Sequence, residues 1–299
     1  MCFKIKEIIF SIFKKGVKSI SGHRLTRFYP VNVIYFSLMS FLRNSNSTVD
    51  VFGHRMFLDP IDSLGLSIRG VYEPFETELI KKEIKRGDVV LDIGANIGYY
   101  TLIFAKLVGE SGKVFAFEPA PDNFAILKKN IEINGYKNVT LVQKAALNKN
   151  GKGKLYLSKY NKGAHTIYGK NDNSKFVEVE TIRLDDYFKN NNRVDFIKMD
   201  IEGAEGLAIQ GIPLILKDNK NIKILTEFNP VALQHFIISP ETYLKMLTDN
   251  GFIWFYINTD KKSLESITSA ELINTCSHGG YTSLLCQRQK SKIGKNCNI

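Results

Sequence analysis

The chain has 299 residues and a formal net charge of +11, with 44% hydrophobic and 24% charged residues. This composition is typical of a globular protein, so a disordered or collagen-like chain is excluded. The excess positive charge lies mostly at the two ends, in residues 1–30 and 288–299, and the rest of the chain is close to neutral. A basic groove that follows a phosphate backbone is therefore not expected, and we predict no nucleic-acid partner.

Residues 1–47 form the first predicted segment. Apolar side chains recur at helical spacing between residues 3 and 20, with lysines on much of the other face. We predict a basic helical extension that docks on the body, and a peripheral helix on an anionic membrane surface is the alternative for residues 1–20. The sequence shows no apolar run of ~20 residues, no secretory signal and no CxxC pair, so we expect a cytoplasmic protein with reduced thiols.

The elements after residue 47 alternate regularly. A hairpin is predicted to turn at Gly53, and from residue 75 onward short apolar strands alternate with helices. This order predicts an α/β fold with a doubly wound, mostly parallel sheet and a small antiparallel insert at 152–158 and 176–182. The predicted strands lie at 89–91, 114–117, 139–142, 194–199, 222–226, 252–256 and 281–286, and the predicted helices at 75–86, 97–108, 122–134 and 240–250.

Acidic residues cluster where the predicted strands end. In a parallel sheet, ligands bind outside the carboxyl ends of the strands, so these positions form the candidate site. Carboxylates are rarely buried without partners, and five of them on one rim favour a small ligand that carries a cation over a phosphate. The five acids are Asp92, Glu118, Asp200, Glu202 and Glu227.

The loop after the first predicted strand contains Gly94 and Gly98, which allow a tight turn and a helix that starts close to the sheet. A dinucleotide loop has a third glycine in its middle, and Asn96 stands there instead. S-adenosylmethionine carries an ammonium group, a sulfonium and a ribose diol but no phosphate, so it fits this loop better than NAD. Glu118 follows the second strand, where a carboxylate can accept both ribose hydroxyls.

Several segments together carry a resemblance to a known family. Residues 87–100, 117–119 and 198–205, with 72–76 and 226–230, are similar to the FkbM family of S-adenosylmethionine-dependent methyltransferases. The resemblance covers about residues 48–287, so we predict three parts: the extension 1–47, the methyltransferase domain 48–287 and a basic tail 288–299. It implies a class I methyltransferase (Rossmann-like) fold, whose seven-stranded sheet has one antiparallel strand, here 281–286.

The resemblance also implies roles for individual residues. It places the amino-acid end of the cofactor on the loop of residues 92–98 and the acceptor near Asp200. The implied cofactor-binding residues are Glu73, Asp92, Gly94, Asn96, Gly98 and Asp200, with Glu118 on the ribose and Ala145 and Ala146 along the adenine ring.

Methyl transfer to a hydroxyl also needs a base that removes the proton. The candidates are Asp200, Glu202 and the loop histidine His165, whereas Glu205 is expected to be a solvated helix residue. Simpler alternatives make Asp92 and Asp200 caps of the helices that follow them. Two carboxylates at positions i and i+2 are too few to predict a metal.

The sequence therefore predicts an S-adenosylmethionine-dependent O-methyltransferase that acts on a hydroxyl of a sugar, a glycan or a small metabolite. Two alternatives remain open at this point: an NAD-dependent oxidoreductase, and a non-catalytic glycan-binding protein on a methyltransferase fold. No motif in the chain names the acceptor or an oligomeric state.

Overall fold

A computed structural model describes residues 48–158, 165–168, 175–189, 193–276 and 280–288 of the chain. The predicted N-terminal extension, and the C-terminal tail after residue 288, lie outside these described residues.

The described part of the chain contains thirteen strands and ten helices. The strands are β1 (Thr48–Val51), β2 (His54–Phe57), β3 (Val89–Ile93), β4 (Lys113–Phe117), β5 (Val139–Val142), β6 (Ala145–Leu147), β7 (Gly151–Tyr156), β8 (Phe176–Arg183), β9 (Phe196–Met199), β10 (Lys223–Phe228), β11 (Phe252–Asn258), β12 (Ser263–Glu265) and β13 (Thr282–Arg288). The helices are α1 (Leu66–Arg69), α2 (Pro74–Glu83), α3 (Tyr99–Val108), α4 (Pro121–Ile133), α5 (Leu184–Tyr187), α6 (Glu205–Gln210), α7 (Pro213–Asp218), α8 (Pro230–Gln234), α9 (Pro240–Asp249) and α10 (Ser269–Cys276).

One compact unit comprises residues 89–93 and 146–151 and the described residues within 181–288. Its six strands of the main sheet follow the order β12-β11-β13-β10-β9-β3. Strands β3, β9 and β10 pair in parallel, and α6 and α7 form the crossover between β9 and β10. Strand β13 runs antiparallel to both β10 and β11, so the reversed strand predicted near the C-terminal end is present, but the short β12, antiparallel to β11, is reversed as well.

The other compact unit comprises the described residues within 48–88, 94–145 and 152–180. Its hairpin β1–β2 turns at Phe52 and Gly53 as predicted, and β4 and β5 pair in parallel around the crossover helix α4. The buried side chain of Asn130 on α4 bonds the backbone of Phe57 in β2 and the carbonyl of Ile97. One amide side chain therefore ties both the hairpin and the start of the glycine loop's helix to α4.

The predicted insert contains one strand more than expected. Strands β7 and β8 lie where the insert was predicted, and they form a three-stranded sheet with β6 in the order β6-β8-β7. Ala145 and Ala146 were expected to follow the third predicted strand, 139–142, and both are buried residues of a separate short strand, β6.

The main sheet has eight strands, so the predicted number of seven is wrong by one. The additional strand is β12, only three residues long, which pairs antiparallel with β11. Two acids predicted to follow strands also lie inside them. Asp92 pairs with Lys198 of β9, and Glu227 pairs with Ser283 of β13, so the partner strands extend β3 and β10 beyond their apolar cores.

Candidate functional site

The glycine loop between β3 and α3 adopts a left-handed backbone at three positions. The φ angles are 85° at Gly94, 51° at Asn96 and 93° at Gly98, and glycine tolerates this region best. The N–H groups of Gly94 and Ala95 both donate to the carbonyl of Phe117, at 3.0 Å each. The loop is therefore held tightly against the end of β4.

Glu118 completes this loop from the end of β4. Its side chain is buried, and its Oε2 and Oε1 accept the N–H groups of Asn96 and Ala120, each at 2.8 Å. Each carboxylate oxygen has a second acceptor site, so the same side chain can also receive a ribose hydroxyl. The buried Oδ1 of Asn96 has no hydrogen-bond partner among the described residues, which adds an acceptor to the loop. These acceptors fit a nucleoside whose diol hydroxyls donate hydrogen bonds.

Glu73 belongs to the same unit as the glycine loop. It is the residue before α2, its φ is 44°, and its Oε2 accepts a hydrogen bond from the Tyr100 hydroxyl at 2.7 Å. Ala145 and Ala146 are buried in β6, where their small side chains leave more room than larger residues would. Their role beside an adenine ring stays a prediction.

A row of charged side chains lies on one face of β3, β9 and β10, in the second unit. Asp92 pairs in register with Lys198, and the Nζ atom of Lys198 lies 3.1 Å from Oδ2 of Asp200. Because side chains alternate along a strand, Lys198 and Asp200 share a face with Asp92. Asp92 is fully buried, and the Lys198 side chain is only 8% exposed. An ammonium group thus lies within an otherwise acidic row.

Two further glutamates border this row. Met199 pairs with Thr226, so the next residues, Asp200 and Glu227, are neighbours at the carboxyl ends of β9 and β10. Glu205 is fully buried, and its Oε1 accepts the N–H of Ile201 at 2.8 Å. The expectation of a solvated Glu205 is therefore wrong, because the carboxylate bonds the backbone of the turn that precedes its own helix.

The crowding of carboxylates changes their titration. Burial raises the pKa of Glu205 to about 7, and the negative charge of Asp200 adds to this increase. Burial also raises the pKa of Glu227 well above its ordinary value, with further increases from Asp200, Glu205 and Glu202, while Lys198 opposes them. The Oε2 atoms of Glu205 and Glu227 are buried and accept no hydrogen bond within the described chain.

The turn after β9 needs an unusual backbone. Glu202 has a φ of 56° and Gly203 a φ of 99°, and a Cβ atom on Gly203 would lie 2.5 Å from the carbonyl oxygen of Ala232. The residue that caps α6 is Ala204, without a side-chain hydrogen bond, and the residue that caps α3 is Gly98. Neither Asp200 nor Asp92 is thus a helix cap, and these two alternatives are excluded.

His165 makes a structural contact in its loop. Its Nδ1 accepts the N–H of Ser158 at 3.0 Å, so a neutral ring carries its proton on Nε2. The bond from Ser158 occupies the Nδ1 lone pair, which a general base would need to accept a proton. This favours the carboxylates over His165 for proton removal.

Within the described ranges, no group of three or more His, Cys, Asp or Glu residues could hold a metal ion. No helix of the described part is long and apolar enough to span a membrane.

The roles of three residues in these clusters, Lys198, Glu205 and Tyr100, were not predicted from the sequence. Lys198 has a signal in the sequence, because it is the single charged residue in the apolar strand Phe196–Met199. Neither the burial of Glu205 nor the bond from Tyr100 to Glu73 has a signal in the sequence, because both depend on contacts between separate elements.

An alternating α/β fold with a glycine loop after β3 and a carboxylate after β4 defines a Rossmann-like domain for a nucleoside cofactor. The family model of the methyltransferase FkbM domain matches residues 92–257, which is more than half of the chain. The chain therefore belongs to the FkbM methyltransferase family. This confirms the family, the fold class and the S-adenosylmethionine cofactor that the motifs predicted.

The matches to individual proteins differ widely in length. Methyltransferase 1 of Beauveria bassiana is 28% identical over 169 residues, which cover 46% of this chain and 68% of that protein. The protein-L-isoaspartate O-methyltransferase of Methanococcoides burtonii is 40% identical over 60 residues, so the match spans 20% of this chain and only 30% of that relative. Among solved structures, M. jannaschii TYW2 in complex with AdoMet has a TM-score of 0.42 and 14% identity, covering 83% of this chain and 88% of that one.

Proposed function

We propose that the protein transfers the methyl group of S-adenosylmethionine to a hydroxyl oxygen of a sugar, a glycan or a small metabolite. Membership in the FkbM family supports methyl transfer as the reaction class. The choice of a hydroxyl acceptor is supported by the charges at the ends of β9 and β10.

The chain's own residues divide the work of cofactor binding. When bound, the cofactor supplies a methyl group activated by a sulfonium sulfur. Glu118 accepts the ribose hydroxyls while it holds the loop through Asn96, and Ala145 and Ala146 line the adenine ring. Asp92, Gly94 and Gly98 shape the part of the loop for the amino-acid end. Holding both reactants in line provides a large share of the rate enhancement in such displacements.

The acidic row carries the choice of acceptor. Burial and the negative charges of Asp200, Glu205 and Glu202 raise the pKa of Glu227, so the charge of a carboxylate acceptor would meet the same repulsion there. A neutral hydroxyl meets none, and it can donate a hydrogen bond to a carboxylate. The electrostatics therefore favour a neutral hydroxyl over an acidic acceptor.

The same row supplies the base. The base must lie within hydrogen-bond reach of the hydroxyl whose proton it removes. Asp200, which is about one third exposed, and Glu202 are the candidates that can touch an acceptor, and Glu205, which is fully buried, is not. We assign proton removal to Asp200 or Glu202.

Transfer of a labelled methyl group tests this proposal. The full chain is incubated with methyl-labelled S-adenosylmethionine and either a panel of neutral glycans or an isoaspartyl peptide, with Glu118→Ala as the inactive control. We expect label in a glycan as an alkali-stable methyl ether. Label released by alkali from the peptide would instead show a methyl ester and overturn the hydroxyl assignment.

The two alternatives predict other outcomes. An NAD-dependent oxidoreductase is not favoured, because the chain belongs to a methyltransferase family. A non-catalytic glycan-binding protein would bind glycan without consuming S-adenosylmethionine. Formation of S-adenosylhomocysteine in the same assay distinguishes this case.

Membrane contact through residues 1–20 and the absence of a nucleic-acid partner remain proposals that rest on the charge distribution alone. Flotation with liposomes that contain or lack anionic lipid tests the first. Recovery of the full chain in the floating fraction only with anionic lipid is the expected result.

A further inference from the structure

Two consecutive tyrosines at the start of α3 hold the segment that precedes α2. The hydroxyl of Tyr99 donates to the carbonyl of Tyr72 at 3.0 Å, and it lies 3.0 Å from the hydroxyl of Thr77. The hydroxyl of Tyr100 donates to the carboxylate of Glu73 at 2.7 Å. Tyr99 therefore fixes the backbone of this segment, and Tyr100 fixes its acidic side chain.

The Tyr100 ring has little freedom. Its side chain is buried, it stacks on Phe104 with a 25° interplanar angle, and it meets Tyr99 edge-on with ring centres 5.0 Å apart. Burial and the charge of Glu73 raise the pKa of Tyr100 well above its ordinary value. Its hydroxyl therefore stays protonated and remains a donor to Glu73 at any physiological pH.

The backbone at Glu73 is strained. Glu73 has φ 44° and ψ 69°, a left-handed conformation that is uncommon for a residue other than glycine. It occupies the N-cap position of α2, yet its side chain makes no capping hydrogen bond to that helix. A strained residue whose carboxylate bonds elsewhere is typical of a functional position.

The position of this carboxylate indicates its ligand. Tyr100 is two residues after Gly98, so its bond holds Glu73 at the first turn of α3, directly after the glycine loop. The Tyr100 hydroxyl is neutral, and this bond leaves the negative charge of Glu73 in place. A carboxylate at this point attracts a cation, and the cofactor's methionine portion carries an ammonium group.

We propose that Glu73 binds the ammonium group of the cofactor and that Tyr100 is a positioning residue that orients Glu73 for it. This inference rests on the proposed function, since it requires S-adenosylmethionine in the glycine loop. It explains why the chain tolerates a left-handed glutamate, because the conformation directs the carboxylate to Tyr100 and away from the end of its own helix.

Calorimetry with two ligands tests the inference on the full chain. S-adenosylhomocysteine carries the ammonium group, whereas 5′-methylthioadenosine has the same nucleoside and thioether without the amino-acid portion. We expect Tyr100→Phe and Glu73→Gln each to weaken S-adenosylhomocysteine binding about tenfold or more. Binding of 5′-methylthioadenosine should stay within about twofold of the unmodified protein, because it has no charge for Glu73 to hold.

A matched control and a double variant separate positioning from structural damage. Tyr136→Phe removes an equally short bond, the 2.7 Å contact between the tyrosine hydroxyl and Nε2 of His54, and should leave both affinities unchanged. In the double variant, Tyr100→Phe should add no further loss to Glu73→Gln, because Tyr100 acts through Glu73. The double-variant comparison needs only S-adenosylhomocysteine. It therefore tests the role of Tyr100 even if 5′-methylthioadenosine binds too weakly for calorimetry.

Several outcomes would overturn the inference. Unchanged S-adenosylhomocysteine binding in Glu73→Gln, equal losses for both ligands, or additive losses in the double variant would each reject it. In these cases the unmodified protein still binds S-adenosylhomocysteine, so the proposed function stands. Failure of the unmodified protein to bind it would reject the cofactor and this inference together.

Discussion

Among single residues, Glu118 has two roles for the same two carboxylate oxygens. They hold the backbone of the glycine loop, and we propose that they accept the ribose hydroxyls. Its carboxylate accepts one backbone N–H on each side, from Asn96 in the glycine loop and from Ala120 at the start of α4. A residue expected only to bind ribose therefore also determines the shape of the loop. Loss of this side chain should affect the cofactor site twice, through the missing acceptor and through the released loop.

Substitution of Glu118 by alanine should weaken S-adenosylmethionine binding about tenfold to a hundredfold, since a hydrogen bond to a charged group contributes ~1.5–3 kcal/mol. Isothermal calorimetry measures this change. Glu110→Ala, which removes an exposed acid of the same unit, is the control and should bind normally. An unchanged affinity in Glu118→Ala would reject the ribose assignment.

The ion pair between Lys198 and Asp200 is expected to stabilise the folded protein. Lys198 is nearly buried, so Asp200→Asn removes the carboxylate charge that lies 3.1 Å from its ammonium group and should lower the free energy of unfolding by about 1–3 kcal/mol. Lys198→Met should lower the free energy of unfolding less in the Asp200→Asn variant than in the unmodified protein. Urea unfolding of the two single variants and the double variant gives the coupling, and additive losses would contradict a direct pair.

Among elements, the turn from β9 into α6 determines where the acids of the second unit lie. Gly203 has a φ of 99°, and its α carbon packs against the backbone of Ala232 in α8. Glu202 and Glu205 flank this glycine, so its conformation sets the direction of both. Gly206, three residues later, lies inside α6 and faces the end of the Ile238 side chain.

The two glycines provide a matched comparison. Gly203→Ala would bring a Cβ atom to 2.5 Å from a carbonyl oxygen that cannot move independently, so we expect a loss of about 2–4 kcal/mol of stability. Gly206→Ala meets the flexible Cδ1 of Ile238 at 2.6 Å and gains helix propensity, so its effect should stay within about 1 kcal/mol. Equal losses in urea unfolding would show that the turn geometry is not the cause.

For the whole molecule, the buried carboxyl of Glu205 links folding to pH. Its pKa is about 7 in the folded protein, against 4.5 ordinarily, because burial disfavours the charged form. The folded state therefore keeps a proton that the unfolded chain loses between these two values. This contribution to stability is complete below pH 4.5 and is lost as the pH rises through about 7.

Glu205→Gln should remove this pH dependence, since glutamine keeps an oxygen for the N–H of Ile201 and carries no charge. We expect the unmodified protein to lose up to about 3 kcal/mol between pH 5 and pH 8 through this group, and the variant to lose correspondingly less. Urea unfolding at both pH values measures the difference, with the exposed Glu241→Gln as control. An identical pH dependence in Glu205→Gln would contradict the assignment.

The sequence by itself determined the alternation of the main strands and helices, the glycine loop and the family, because hydrophobic periodicity and turn glycines are local properties of the chain. It also located Glu118 and Asp200 at the ends of strands. Only the tertiary structure decided that Asp92 and Glu227 lie inside strands, that Glu205 is buried and that Tyr100 holds Glu73. Each of these depends on pairing or packing between segments far apart in the chain, and the local pattern around a residue does not contain that information.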